Sequence, residues 1–169
     1  AWESFPLDQQ RYQVYNRNMQ ADIALFRDAN VPLTVEVEKL SQEYQTVCGA
    51  MTVQFRGKEH TLPQMGKYGY DPDRSLREEA WRATTKRRLE EAGKIEDVFD
   101  NMLHLRQKLA ENADCADFRE YMFRQYHRFD YTPADCKAYH AAVEKLVTPL
   151  YGRLLEHRRE QMGLASLRP

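Results

Sequence analysis

The stretch KIEDVFDNMLHLRQKLAEN, residues 94–112, decides the fold class of this chain. Its apolar residues recur at steps of three and four: Ile95, Val98, Met102, Leu105 and Leu109. An α-helix has about 3.6 residues per turn, so this spacing places all of them on one face. The stretch therefore predicts a helix that packs one side against a core.

The same helix can be followed upstream to a clear start. Asp71 is a suitable cap, Pro72 suits the first helical position, and Asp73 is favourable near the positive end of the helix dipole. We expect helical structure over about residues 74–112. Gly93 lies inside this segment and is unfavourable in a helix, so we expect a kink or a break there.

Two helices are predicted before this one. Asp8 can cap the first helix, whose apolar face consists of Tyr12, Tyr15, Met19, Ile23 and Phe26. The second helix follows residues 31–34 and ends near Gly49. Its apolar face consists of Val37, Leu40, Tyr44 and Val47.

Two more helices are predicted after it. Asp117 and Glu120 have the spacing of a capping box, and the helix they begin carries Phe118, Met122 and Tyr126 on one side. Thr132 opens the last helix, which we expect to kink near Pro149 and to end at Gly163. Its inward-facing stripe is predicted to consist of Cys136, Tyr139, Val143, Leu146, Leu150 and Leu154.

One short segment has a different period. Apolar residues alternate over residues 51–55, residues 56–58 can turn the chain, and residues 59–62 can return beside it. We therefore predict a β-hairpin at about residues 50–62. The predicted fold class is mainly α: a multi-helix array with one small β-hairpin, forming a single helical domain or lobe over residues 1–169.

The composition narrows the classes of function. The formal net charge is −1, so no overall field attracts nucleic acid, and no apolar run approaches the roughly 20 residues that span a bilayer. We expect neither nucleic acid nor a membrane as a partner. The three cysteines, Cys48, Cys115 and Cys136, are too few for a disulfide framework, which favours a cytoplasmic location.

The five histidines are the first candidates for metal ligands. Zinc peptidases commonly carry His-Glu-x-x-His, in which two histidines one helical turn apart bind the metal. No such group contains any histidine of this chain: His60, His104, His127, His140 or His157. His140 with Glu144, and Asp100 with His104, could meet across one helical turn, but surface hydrogen bonding explains such pairs more often. We assign no metal ligand and no cofactor to this segment.

No nucleophile is indicated either. Cys136 lies on an apolar stripe, where a cysteine usually acts as a small buried hydrophobe. No serine lies in a nucleophile-elbow context, which holds for Ser4, Ser41, Ser75 and Ser166. We assign no catalytic residue, and the substrate-binding residues stay unknown.

Two other features have a structural and a functional interpretation. The basic run Arg82 to Arg88 is flanked by glutamates at helical spacing, which favours a solvated face with ion pairs over a nucleic-acid patch. Tyr68 and Tyr70 lie on a Gly-flanked connection, where they could line a groove or pack against the hairpin.

Several short segments carry a resemblance to a known family. They are LSQEY (40–44), GAMTV (49–53), DPDR (71–74), REEAW (77–81), RFDYTP (128–133), VTPLY (147–151) and MGLASLRP (162–169). In this order and spacing they resemble the N-terminal region of the oligoendopeptidase F-type branch of the thimet-oligopeptidase-like zinc metallopeptidases. The resemblance covers most of the chain from about Thr34 onward.

The resemblance implies a large helical enzyme that encloses a substrate channel and cleaves oligopeptides with zinc-activated water. The family's zinc-binding helix lies downstream of the matched region, so the resemblance implies zinc in the full-length enzyme and none in this segment. It also implies that this segment forms part of the channel wall and is inactive alone. Its partners would be the C-terminal catalytic domain of the same polypeptide and oligopeptide substrates.

The ends of the chain fit that interpretation. The chain opens Ala1-Trp2-Glu3 without an initiator methionine and stops at Pro169, so we interpret it as a fragment that lacks the catalytic domain. Two alternatives stay open: a free-standing helical protein-interaction module without enzymatic activity, and a small metalloprotein that uses His140 and Glu144. A fragment should expose an apolar face of several hundred Å² where the missing domain docks.

Overall fold

The computed structural model describes Asp8 and residues 10–167. Helices dominate, and one small antiparallel hairpin accompanies them, which confirms the predicted fold class. The chain divides into two compact units, Ala1–Gln125 and Tyr126–Pro169, and each is described by itself. The single lobe over residues 1–169 stays a prediction.

Ser4 and both ends of the chain lie outside the described residues. The interpretation of these ends as those of a fragment therefore stays a prediction. The elements of the first unit are α1 (Gln13–Leu25), α2 (Asn30–Gly49), β1 (Thr52–Phe55), β2 (Lys58–Thr61), α3 (Leu62–Met65), a 3-10 segment (Gly66–Tyr70), α4 (Arg74–Glu90), α5 (Ala92–Asn112) and α6 (Phe118–Gln125). Those of the second unit are α7 (Pro133–Ala142), a π-helical segment (Val143–Val147) and α8 (Thr148–Gln161).

The hairpin forms where the alternating pattern predicts it. Thr52 pairs with Thr61 and Phe55 with Lys58, and a two-residue turn joins the strands. Arg56 and Gly57 in this turn both have positive φ, as the favoured type I′ hairpin turn requires. The hairpin is stabilised by packing on the helices, since its buried residues share a cluster with residues of α3 and α4: Val53, Phe55, Met65 and Ala80.

The long helical segment has the predicted bounds, Arg74 to Asn112, but its cap lies two residues after the predicted one and its break lies two residues before the glycine. Asp73 is the cap of α4, because its carboxylate accepts a hydrogen bond of 2.8 Å from the backbone of Ser75. The Asp71 carboxylate instead accepts from the backbone of Asp73 at 2.9 Å. The break lies at Glu91, between α4 and α5, whereas Gly93 is inside α5. The predicted cap and break point were therefore wrong.

The apolar face predicted for α5 is confirmed, but that of α1 is wrong. Val98 and Leu109 are buried on α5, which packs against α2. On α1 the predicted residues Tyr15, Ile23 and Phe26 are exposed, and Leu25 is the side chain that reaches the core. The reason is that α1 packs against α6 and leaves much of its apolar face uncovered within the described chain.

The second unit begins as predicted. Thr132 caps α7 in a capping box with Asp135, and Pro133 occupies the first turn. Gly163, at positive φ, follows the last turn of α8, where the backbone N–H of Gly163 donates to Glu160 at 3.0 Å. Both predicted boundaries of the last helical segment are confirmed.

A π-helical segment immediately precedes the place where the sequence predicts a kink at Pro149. The backbone N–H of Thr148 donates to the carbonyl of Val143, five residues earlier, and Pro149 then lies in the first turn of α8. Proline is tolerated there because a first-turn residue needs no intrahelical donor. The widened turn thus places the proline at a new helix start.

The apolar stripe of the last helical segment does not face inward as predicted. Cys136 and Val143 are half-buried, but four of its six residues are exposed: Tyr139, Leu146, Leu150 and Leu154. Over the part of the chain that the structure describes, no helix combines the length and apolar character required to cross a membrane.

Candidate functional site

A cleft of about 370 Å³ lies in the first unit, between α1, α2 and α6. Its lining consists of Asp22, Leu25, Phe26, Arg27, Asn30, Val31, Thr34, Val35, Tyr121 and Gln125. We call this set of residues the α1–α2–α6 cleft. The connection from α1 to α2 forms a corner beside the cleft. Buried and half-buried apolar residues form its floor, and exposed apolar residues form its rim.

Arg27 fixes the corner where the chain leaves α1. One guanidinium nitrogen donates to the carbonyl oxygens of Ala24 and Phe26, at 2.8 Å each. The other nitrogen donates to the carboxylate of Asp114 at 2.9 Å, just beyond the end of α5. Carbonyl groups at a helix end lack intrahelical partners, so Arg27 satisfies them and ties the corner to α5.

Asn30, the first residue of α2, makes a second tie to the end of α5. Its side-chain amide donates to the carbonyl oxygen of Leu109 at 3.0 Å, and its side-chain oxygen accepts from Asn112 at 2.8 Å. Only 6% of Asn30 is exposed. A buried amide is favourable when both of its ends are paired, so these two bonds fix the position of α2 on α5.

Two lining residues form the floor of the cleft: Leu25 belongs to a buried apolar cluster, and Tyr121 packs against that cluster. Leu25 packs with Ala110, Ala113 and Cys115, and the ring of Tyr121 stacks on Phe118 with the centroids 5.7 Å apart. Burial raises the pKa of the Cys115 thiol, and it raises the pKa of Tyr121, with a smaller contribution from Cys115. Both groups are therefore neutral near pH 7, and the buried thiol is unsuited to nucleophilic chemistry.

The rim of the cleft exposes large apolar side chains. Phe26 is 61% exposed, Val31 is 53% exposed and Val35 is 49% exposed. Val31 and Val35 lie one helical turn apart on α2, so they form one edge of the cleft. The arrangement offers a surface for apolar packing.

The structure does not assemble the metal pairs considered from the sequence into a site. The ring of His104 is hydrogen-bonded at 2.7 Å to the backbone carbonyl of Asp100. His140 and Glu144 lie on the exposed part of α7 and the following π-helical segment. Among Asp8 and residues 10–167, no group of three or more His, Cys, Asp or Glu side chains could hold a metal ion.

The basic run on α4 forms the ion pairs that its flanking glutamates predict. Arg82 pairs with Glu78 at 2.7 Å, and Arg87 pairs with Glu91 at 2.9 Å and with Glu90 at 3.6 Å. The hydrogen bond from Arg87 lowers the pKa of Glu91 most, and the hydrogen bond from Lys94 lowers it further. The interpretation as a solvated helix face is confirmed.

The two tyrosines of the 3-10 segment behave differently. The ring of Tyr68 packs 4.9 Å from that of Phe55, and its hydroxyl lies 3.3 Å from Nε2 of the buried His60. Tyr70 is 92% exposed. Tyr68 is therefore part of the packing that holds the hairpin, whereas Tyr70 is free of the core.

The α1–α2–α6 cleft could not be predicted from the sequence. Its key polar residues, Arg27 and Asn30, contact partners about 80 positions away, Asp114 and Leu109. A weak local signal existed. An Asn that begins a helix with Pro32 two positions on is typical of a helix start, and an arginine just after a helix can bind its free carbonyls.

Comparisons with known proteins give a consistent result. The family model of peptidase family M3 matches residues 67–169. Three solved structures share the fold: PZ peptidase A with an inhibitor (TM-score 0.90, 24% identity), a protein assigned as oligoendopeptidase F from Bacillus anthracis strain Ames (0.87, 21%), and another protein assigned as oligoendopeptidase F (0.87, 23%).

The similarity covers nearly all of this chain but a minor part of those proteins. It extends over 98% of this chain and 30% of the PZ peptidase A chain, and over 98% and 31% for the Bacillus anthracis protein. For the third structure the shares are 97% and 30%. No curated protein matches the chain.

Proposed function

This chain belongs to peptidase family M3, and from that membership we propose that it is the N-terminal helical lobe of a zinc-dependent endopeptidase that cleaves oligopeptides. In this proposal the lobe forms part of the wall of the substrate channel. It is inactive alone, and its partners are the C-terminal catalytic domain of the same polypeptide and the oligopeptide substrates.

The exposed stripe on the second unit is the observation that carries the proposal. Its four large side chains, Tyr139, Leu146, Leu150 and Leu154, are each between 45% and 68% exposed. They recur at helical spacing along α7, the π-helical segment and α8, so they form a continuous apolar row. An apolar row of this length normally packs against another element, and a further domain of the polypeptide would supply one.

The similarity to larger peptidases supports the same interpretation. The chain corresponds to about 30% of each solved relative, so the relatives contain more than twice as much additional chain. A domain that large can cover an apolar row on α8. The free-standing interaction module would leave the row exposed until an unrelated protein bound to it.

Zinc enters the proposal only through residues outside this chain. The His, Cys, Asp and Glu side chains of residues 10–167 and Asp8 do not converge into a group that fits the metal. A zinc ion in a peptidase activates a water molecule for attack on the peptide carbonyl. We assign that chemistry to the rest of the polypeptide, and to this lobe the exclusion of substrates by size.

The proposal includes a cytoplasmic location. All three cysteines, Cys48, Cys115 and Cys136, are free thiols in the structure. Free thiols persist in a reducing compartment, where disulfides rarely form.

A peptidase assay tests the proposal. A quenched fluorescent peptide of roughly ten residues is incubated with the 169-residue chain and, separately, with the full-length polypeptide, each with and without zinc. We expect zinc-dependent cleavage by the full-length polypeptide alone. Cleavage by the 169-residue chain that survives repurification, or no cleavage by either protein, would refute the proposed role.

A further inference from the structure

We propose that the α1–α2–α6 cleft is a docking site for apolar side chains from the remaining part of the full-length polypeptide. The inference rests on the proposed function, from which it takes its partner. It assigns to the first unit an interface distinct from the apolar row on α7 and α8.

The rim of the cleft has the character of a protein interface. Phe26, Val31 and Val35 are each between 49% and 61% exposed and lie around one concavity. Scattered apolar residues are common on protein surfaces, but a concave group of large ones marks a binding site. A partner helix that places its apolar face over Val31 and Val35 would bury all three side chains.

The polar groups of the lining argue against a small polar ligand. The guanidinium of Arg27 is bound to two carbonyl oxygens and to Asp114. Both ends of the Asn30 amide are paired, and the Thr34 hydroxyl donates to the backbone carbonyl of Asn30 at 2.9 Å. Small-molecule sites need convergent polar groups that are free to bind the ligand. Arg27, Asn30 and Thr34 are committed to the fold in this way, so we expect recognition at this part of the lining to depend on shape and apolar contact.

The amount of chain in the relatives makes the rest of the polypeptide the natural occupant. The fold of this chain is superposed over 98% of its length on 30% of the PZ peptidase A chain. A cleft of about 370 Å³ is at the small end of the range for binding sites, and it suits a few apolar side chains of a packed helix. The additional chain of the full-length polypeptide can supply them.

The experiment compares two matched substitutions in two proteins. Val31 and Val14 are each the second residue of their helix, and they are 53% and 60% exposed, but only Val31 lines the cleft. Val31→Glu and Val14→Glu are made in the 169-residue chain and in the full-length polypeptide. The unfolding midpoint of all four variants is measured against the parent proteins.

We expect Val31→Glu to lower the midpoint of the full-length polypeptide by several degrees and to leave that of the 169-residue chain unchanged. Val14→Glu should leave both unchanged, because a glutamate in the first turn of a helix is favourable and Val14 is outside the cleft. Equal effects of the two substitutions in the full-length polypeptide would overturn the inference. An equal loss from Val31→Glu in both proteins would overturn it too, since the side chain would then act within this chain.

Two further measurements distinguish the remaining outcomes. If light scattering shows that the 169-residue chain self-associates and that Val31→Glu abolishes this, a second copy occupies the cleft and the inference is overturned. The peptidase activity of the unsubstituted full-length polypeptide is measured in parallel. Its absence would refute the proposed function, while the midpoints would still show whether the cleft is a docking site.

Discussion

The side-chain amide of Asn112 donates a hydrogen bond of 2.8 Å to the side-chain oxygen of Asn30, 82 positions earlier in the chain. Asn30 in turn donates to the carbonyl of Leu109 at 3.0 Å. These bonds connect the first residue of α2 to the last turn of α5. They hold α2, which forms one side of the α1–α2–α6 cleft, on α5.

Asn30→Ala should lower the free energy of unfolding of the 169-residue chain by about 1–3 kcal/mol, the usual cost of leaving a buried polar group unpaired. The carbonyl of Leu109 loses this side-chain partner. Asn101→Ala is the control, because Asn101 is exposed on α5. Chemical denaturation measures both, and equal values for the two variants would contradict the role assigned to Asn30.

Asp73→Ala should cost about 1 kcal/mol of stability through the lost cap of α4. Its carboxylate accepts the backbone N–H of Ser75, which otherwise has no intrahelical partner. Asp71→Ala should cost less, because Asp71 only stabilises the preceding turn. Urea unfolding of the two variants decides between them; a larger loss from Asp71→Ala would restore the assignment that the sequence favoured.

Most of the fold could be predicted because its signals are local. The hairpin turn at Gly57, the capping box at Thr132 and the helix end at Gly163 each depend on a few neighbouring residues. The faces of α1 and α8 could not be predicted in the same way. Periodicity identifies an apolar face, but which side of a helix is covered depends on what packs there, and the stripe that includes Ile23 remains exposed.

The candidate cleft was beyond local reasoning for a related reason. Arg27 and Asn30 act through contacts with the end of α5, which the chain reaches only after about 80 residues. Their residue types are ordinary for helix boundaries, so the weak local signal marks a helix boundary and does not indicate a cleft. Burial is equally invisible in the local sequence: nothing around Cys115 indicates that its thiol is buried beside Leu25.

Cys115 should react with a thiol reagent more slowly than Cys48 and Cys136 in the native chain. It is buried, and burial raises the pKa of its thiol, so less thiolate is available to react. Cys48 and Cys136 are only half-buried. The measurement is mass spectrometry of peptides after timed alkylation near pH 7, with an unfolded sample as the control in which all three should react alike. Equal rates in the native chain would contradict the burial of Cys115.

The ionised carboxylate of Asp135 should stabilise the second unit, and this stabilisation should be lost in acid. Its carboxylate accepts hydrogen bonds from the hydroxyl and the backbone N–H of Thr132, which lower its pKa from the ordinary 3.8. A lowered folded-state pKa gives stability that is present above 3.8 and is lost as the pH falls through the folded-state value. Asp135→Asn should therefore be less stable than the parent at neutral pH, and the two should converge below that window. A difference that does not change with pH would show that the charge is not involved.

Pro149→Ala should leave the fold intact and change the helix around it. Alanine supplies the N–H that proline lacks, so residue 149 can donate to the carbonyl of Lys145 and the π-helical segment Val143–Val147 can return to α-helical spacing. The stability should change by no more than about 1 kcal/mol, since the widened turn already accommodates the proline. Amide exchange and backbone chemical shifts over this segment measure the change in hydrogen bonding.

Pro133→Ala is the matched control, because Pro133 lies at a helix start and its replacement should alter neither property at the π-helical segment. A loss of several kcal/mol in Pro149→Ala would mean instead that packing depends on the widened turn.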